Sequence, residues 1–152
     1  MLKSIKQLFK SETSTTAPSD SDLKLAAATL MYEMIRSDGV VDEVELQSMQ
    51  DLLKTEFELA PDVLQELFED AQESSQQAIS LQGFTREICD NWGNEKRIKM
   101  IEYLWTIAFA DEHIDAHERH LVRKVAGLLY VNDTEIQFAR AAAMKKLGIS
   151  QT

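Results

Sequence analysis

A pattern of three acidic residues occurs twice in this chain. Residues 36–45 contain Asp38, Asp42 and Glu45 in the spacing D-x-x-x-D-x-x-E, and the same spacing recurs 73 residues later, in residues 109–118. The acids of the second copy are Asp111, Asp115 and Glu118. Apolar positions match at this offset too: Met31 with Leu104, Tyr32 with Trp105, Val41 with Ile114, Met49 with Val122, Leu52 with Val125, Phe57 with Tyr130 and Val63 with Ile136. The repeat predicts a duplicated helix-hairpin unit whose two copies cover each other's apolar surfaces.

Composition limits the classes of protein to which the chain can belong. Its 152 residues are 44% hydrophobic, which suits one domain with a real core. The formal charge of −10 repels phosphate backbones, so we expect no nucleic-acid partner. The single cysteine, Cys89, cannot form an internal disulfide, and this favours a reducing compartment. No apolar run approaches the roughly 18 residues of a membrane span. A reducing compartment is typical of a cytoplasmic protein, which we therefore expect.

Apolar residues recur at helical spacing along residues 23–150, and no alternating strand of useful length is found. The pattern predicts an all-α fold of about seven helices, in a single compact domain built from two pseudo-symmetric halves. Asn94 is expected to cap the fifth helix, Asp115 the sixth, and Asn132 or Asp133 the seventh. Gly148 is expected to end the chain's last helix.

Residues 1–22 differ from the rest of the chain. Within residues 1–10, four apolar residues share one helical face and three lysines lie elsewhere, while residues 11–22 are rich in Ser, Thr and Asp. The apolar residues are Leu2, Ile5, Leu8 and Phe9, and the lysines are Lys3, Lys6 and Lys10. The first ten residues therefore suit a weak membrane-surface or partner-docking helix on a flexible tether, or else a frayed tail or a helix folded back on the domain.

Two of the three acids in each copy have a structural explanation. Asp42 and Asp115 lie where a new helix must begin, and Glu45 and Glu118 follow three residues later, which is the spacing of a capping box. The remaining acids, Asp38 and Asp111, lie near the C-terminal end of the preceding helix, where the helix dipole disfavours an anion. Loop amides, a nearby basic side chain or a bound cation could compensate the negative charge of these two acids.

All six acids are therefore candidate metal ligands, because Ca²⁺ and other hard divalent cations prefer carboxylate oxygens. The pattern is compatible with three arrangements: one ion bound in each copy, one ion shared between the two copies, or helix capping without any metal. The loops are not EF-hand loops, since Glu43 stands at position 6 and Met49 at position 12. The second copy adds three histidines, which suit a solvated helix face but could also bind zinc or copper: His113, His117 and His120.

The motifs S-D-G-V-V-D-E-V-E at residues 37–45 and A-D-E-H-I-D-A-H-E at residues 110–118 resemble the TerB-like family, the tellurite resistance protein TerB and its relatives. Arg97 at the start of the fifth helix and the turn at residues 128–133 support the resemblance. It implies an all-helical domain of two related halves, with the six acids as cation ligands. Two departures stand out: Glu112 replaces an expected glycine, and His113 and His117 are additional.

The function that follows from the residues and the resemblance is a non-enzymatic interaction module with an acidic, divalent-cation-binding surface. The resemblance implies a role in bacterial stress response, an unidentified protein partner and a position peripheral to the inner membrane. No nucleophile elbow, P-loop or dinucleotide fingerprint is present in the sequence, and we expect no catalytic activity and no organic cofactor. The alternative is a metal-dependent enzyme in which Asp111, His113 and His117 act with the other acids.

Overall fold

The computed structural model describes residues 20–112 and 114–149, and in these ranges the chain forms seven helices and no strand. The all-α prediction is confirmed. The helices are α1 (Asp20–Ile35), α2 (Glu43–Glu56), α3 (Pro61–Gln77), α4 (Gln82–Asn91), α5 (Asn94–Ala108), α6 (Ala116–Leu128) and α7 (Asp133–Leu147).

The centre of the molecule is formed by α1 and α5. Every residue of α5 from Met100 to Ala108 is buried, and α1 is buried from Leu25 to Ile35 except at Glu33. Helices that are enclosed on all sides need apolar residues all round, which is why these two lack a wide polar face. α1 packs against α3, α4 and α5, while α5 also packs against α6 and α7. The remaining helices thus surround a two-helix core.

The order of helices repeats along the chain. α1 is followed by α2 and packs most extensively on α3, and α5 is followed by α6 and packs most extensively on α7. α2 begins at residue 43 and α6 at residue 116, which keeps the 73-residue offset of the acidic pattern. The pseudo-symmetry of the two halves stays a prediction, but the two acidic loops do occupy equivalent places before equivalent helices.

The offset changes by one residue after these helices, because α6 is one residue shorter than α2. α3 and α7 therefore begin 72 residues apart, at Pro61 and Asp133. The predicted pairs of Phe57 with Tyr130 and of Val63 with Ile136 are wrong for this reason. Tyr130 is 78% exposed, whereas Phe57 packs against the core.

Helix ends follow the predicted capping residues except at α5. Asp115 caps α6, Asn132 caps α7 with its side chain, and Gly148 ends α7 with a φ of 71°. Asn94 is instead the first residue inside α5, and Gly93 precedes it without a side-chain cap. The Asn94 Nδ2 group donates to Glu135 Oε2 at 3.1 Å. Its amide ties the start of α5 to the start of α7, so it is not available to cap its own helix.

The predicted amphipathic segment at residues 1–10 and most of its linker lie outside the described residues. The division of the chain at residue 22 therefore stays a prediction. Across residues 20–112 and 114–149, no helix combines the length and the apolar character that crossing a bilayer requires.

Candidate functional site

The first acidic loop ends at Asp42, which begins α2. Its backbone is extended, with a φ of −94° and a ψ of 128°, as an N-cap requires. Its Oδ1 atom accepts hydrogen bonds from the N–H of Val44 at 2.7 Å and from that of Glu45 at 3.3 Å. The predicted cap at Asp42 is confirmed.

The second acidic loop ends at Asp115, where both halves of a capping box form. Asp115 Oδ1 accepts the N–H of Glu118 at 2.9 Å, and Glu118 Oε1 accepts the N–H of Asp115 at 3.1 Å. The predicted box is therefore confirmed at α6. At α2 the Asp42 side chain caps the helix, but the carboxyl group of Glu45 is directed elsewhere.

Glu45 and Glu118 meet across the interior, side chain to side chain. They are 4% and 5% exposed, and their carboxyl groups are joined by a hydrogen bond. Burial, followed by the hydrogen bond and the charge of Glu118, raises the pKa of Glu45 to about 10. Asp111 and Asp42 add smaller repulsions in the same direction. Glu45 is therefore protonated at neutral pH and donates to Glu118.

Glu118 is the anionic member of this pair. Burial raises the pKa of Glu118, while the hydrogen bonds from Glu45 and from the Asp115 N–H oppose that effect. A carboxylate that accepts two hydrogen bonds retains its charge more readily than a neighbour that accepts none. The two carboxyl groups thus share one proton and carry one negative charge between them.

The structure brings five of the six predicted acids into one electrostatic neighbourhood. Asp42, Asp111 and Asp115 each act on at least one member of the Glu45–Glu118 pair through their charge. Asp38 instead lies on the exposed part of its loop, where its Oδ1 atom accepts the Val40 N–H at 2.9 Å. That loop amide is one of the compensating groups expected for an anion beyond the end of α1.

The proposed ligands do not stand around a common point. Within residues 20–112 and 114–149, no three carboxylate, imidazole or thiolate groups are placed so that they could hold a metal ion. His117 and His120 are exposed on α6, and His113 lies outside the described residues. The assignment of all six acids as metal ligands therefore stays a prediction.

The two loops also share an unusual backbone position. Gly39 has a φ of 85°, and Glu112, which lies 73 residues later, has a φ of 64°. This left-handed conformation is easy for glycine and costs a residue with a side chain on the order of 1–2 kcal/mol. The glutamate that departs from the family pattern therefore keeps the turn that the glycine forms.

Sequence reasoning missed the contact between Glu45 and Glu118. The signal was the presence of glutamate at the same capping position in both copies, which places a carboxyl group at each of two equivalent helix starts. Two clefts lie elsewhere, one of about 340 Å³ and one of about 270 Å³. Cys89 lines the first cleft, where it is half-buried and its Sγ donates to Leu128 O at 3.3 Å.

Comparison with protein families matches residues 24–141 to the model of the tellurite resistance protein TerB. The chain belongs to the TerB family. The match spans more than three quarters of its length and includes both acidic loops and all of α2 to α6, which confirms the resemblance drawn from the motifs. Comparisons with curated proteins and with solved structures gave no significant match.

Proposed function

We propose that this TerB-family chain is a non-enzymatic interaction module, acting in bacterial stress response, whose paired acidic loops bind a divalent cation such as Ca²⁺. The observation that carries the proposal is the buried Glu45–Glu118 pair, which joins the starts of α2 and α6 through a single proton. A role in tellurite resistance follows from the family, and the partner is an unidentified protein.

The charge around the pair supports cation binding. Residues 37–53 contain no lysine or arginine, and the charges of Asp42, Asp111 and Asp115 act on two carboxyl groups that are already buried. The proton on Glu45 relieves this repulsion in the metal-free protein. A hard cation would relieve it as well, and would be coordinated by oxygens of the kind it prefers. Cation binding is therefore expected to release the proton.

The same geometry limits the affinity. The pair lies at two helix N-termini, whose positive dipole ends oppose a cation. The carboxylates of Asp42 and Asp115 also accept backbone N–H groups, so binding must either share these oxygens or turn the side chains. We therefore expect weak binding, with a Kd on the order of 10⁻⁴ to 10⁻³ M, as in extracellular calcium modules.

The direct test is calorimetric titration of CaCl₂ and MgCl₂ into the chelator-treated full chain. Two buffers of different ionisation enthalpy, both at pH 7, reveal whether a proton is released. We expect binding with proton release, reduced in Glu45→Gln and retained in Glu43→Gln, because Glu43 is exposed on the same first turn of α2. No heat and no change in Tm at millimolar ion would contradict the proposal.

The non-enzymatic role is supported by the way the acids are used. Asp42 and Asp115 cap helices, and the pair is buried with its carboxyl groups bonded to each other, so the acids already have structural partners. A module of this kind acts by presenting a surface to another molecule.

A cytoplasmic location at the inner-membrane surface completes the proposal. Its support is the basic amphipathic sequence of residues 1–10, which suits weak contact with anionic lipid. The full chain should float with vesicles that contain phosphatidylglycerol. A variant with Lys3→Glu and Lys6→Glu should not. Failure of both proteins to float would contradict the membrane part and leave the cation part unaffected.

A further inference from the structure

Three exposed valines lie together at the start of α2. Within five consecutive residues, the exposed fraction of the residue is 66% for Val40, 45% for Val41 and 51% for Val44. Single exposed apolar side chains are ordinary on a protein surface, but several grouped at one place indicate an interaction site. Because Asp42 is fixed as the cap of α2, the backbone that carries these valines is held in place.

Acidic side chains surround the valines. Asp38 and Glu43 are exposed, and Asp42 is half-buried. These three acids and the three valines form what we call the acidic valine surface. The hydrogen bond between Glu45 and Glu118 brings the second acidic loop to the neighbouring helix start, which adds further negative charge nearby. An occupant that complements this surface must combine apolar side chains with positive charge.

We propose that residues 1–10 of the same chain dock on the acidic valine surface. Their sequence has both required properties, with an apolar face for the valines and lysines for the acids. A ten-residue helix is marginal in water, so docking would supply the packing that such a helix lacks on its own. Most other basic residues of the chain follow Lys54, on helices where acidic residues accompany them.

The length of the chain permits this contact. The valines follow the C-terminal end of α1, and residues 1–19 precede its N-terminal end. α1 has 16 residues and is therefore about 24 Å long. The nine residues 11–19 can span up to about 30 Å when extended. Residue 10 can thus reach the surface within one molecule if the linker runs nearly extended over the helices that enclose α1.

The consequence is an autoinhibitory contact. The apolar face and lysines that would dock on the acidic valine surface are the groups that would otherwise contact a membrane. This consequence rests on the proposed membrane contact, whereas the docking itself can be measured without lipid. Since ion pairs at an exposed surface are screened by salt, the contact should weaken as ionic strength rises.

The test is paramagnetic NMR on the full chain. A spin label is attached at Ser4→Cys in a Cys89→Ser background, in chelator and without lipid. We expect the amide signals of Val40, Val41 and Val44 to lose intensity. Val44→Lys, which removes an apolar side chain and repels the lysines, should abolish the loss. Val63→Lys should not, since Val63 is a comparably exposed valine (44%) in the first turn of another helix. Undiminished signals at the three valines would overturn the proposal.

Two further measurements complete the test. Mixing isotope-labelled chain with spin-labelled, unlabelled chain detects contact between molecules. A loss of signal in the mixture as large as that in the spin-labelled chain itself would assign the surface to a second copy and overturn the proposal. The triple variant Lys3→Glu, Lys6→Glu and Lys10→Glu needs no new cysteine, and it should shift the amides of the three valines relative to the parent chain. Unchanged shifts would also overturn it. Lipid flotation is scored separately, so failure of the membrane proposal is distinguishable from failure of this one.

Discussion

The starts of α2 and α6 carry the same three-acid pattern and use it differently. At α6, Glu118 returns to its own cap and closes a reciprocal box with Asp115. At α2, Asp42 accepts two backbone N–H groups, and Glu45 crosses to Glu118. In the second copy of the motif, Glu118 is therefore an anion held by its own helix. In the first copy, Glu45 is protonated.

The difference shows that a duplicated motif need not be duplicated chemistry. Two buried carboxylates at hydrogen-bond distance cannot both be charged without a large cost. The glutamate that accepts a backbone N–H retains its negative charge more readily, and the other glutamate is protonated. Burial of the pair thus gives the two copies of one motif different protonation states.

The largest expected effect is on the pH dependence of stability. The pKa of Glu45 is 4.5 in the unfolded reference and about 10 in the folded protein, so only the folded state holds the proton between these values. This contribution to stability is complete below pH 4.5 and is lost as pH rises towards 10. Across pH 6 to 9 this contribution falls by about 4 kcal/mol in total. Urea unfolding of the parent chain and of Glu45→Gln, which cannot ionise, measures the difference.

The matched control for that experiment is Glu43→Gln, an exposed residue in the same turn. Its stability should follow that of the parent chain across the whole range. Burial and the charges of Asp22 and Asp90 raise the pKa of Glu87 to about 7. Ionisation of Glu87 therefore lowers stability with rising pH equally in all three proteins and cancels from the comparison between them. Parallel curves for the parent and Glu45→Gln would show that Glu45 is ionised in the folded state.

The next largest effect is expected from Glu118→Ala. This change removes the acceptor of both the Asp115 N–H and the Glu45 hydroxyl, and should lower the free energy of unfolding by about 2 kcal/mol at pH 7. Glu135 occupies the same place in the Asn132 capping box and also accepts a hydrogen bond from Asn94, but it lies nearer the surface, so Glu135→Ala should cost less. Equal losses would mean that burial of the contact between Glu45 and Glu118 adds nothing to the stability of the two helix starts.

Removal of the caps themselves should have a smaller effect. Asp42→Ala and Asp115→Ala should each cost about 1 kcal/mol in urea unfolding. The two losses should be similar, because in Asp115→Ala the Glu118 side chain still accepts the backbone N–H of residue 115. A larger loss at Asp42 would indicate that its two accepted hydrogen bonds, and not the reciprocal geometry at Asp115, decide the strength of these caps.

Helical periodicity was sufficient to predict the seven helices, because apolar spacing depends only on which residues face the core. Caps were predictable where local chemistry decides them, as at Asp115 and Gly148. The prediction failed at Asn94, whose side chain bonds to another helix. The protonation of Glu45 was not predictable either. It depends on burial and on Glu118, and neither quantity is local in sequence.

The smallest effect concerns the backbone of the two loops. Gly39 and Glu112 occupy the same left-handed position, but only Glu112 bears a side chain there. Glu112→Gly should therefore stabilise the protein by about 0.5 kcal/mol, the relief of strain being partly offset by the greater freedom of glycine in the unfolded chain. Gly39→Ala should destabilise it by about 1 kcal/mol. A Cβ at Gly39 would meet no atom within 4 Å, so that cost comes from the backbone alone. Thermal unfolding of both variants measures these changes. If Glu112→Gly were destabilising, the Glu112 side chain would have to contribute a contact that outweighs its strain. The two loops would then differ in the energetics of their turns as well as in the protonation of their glutamates.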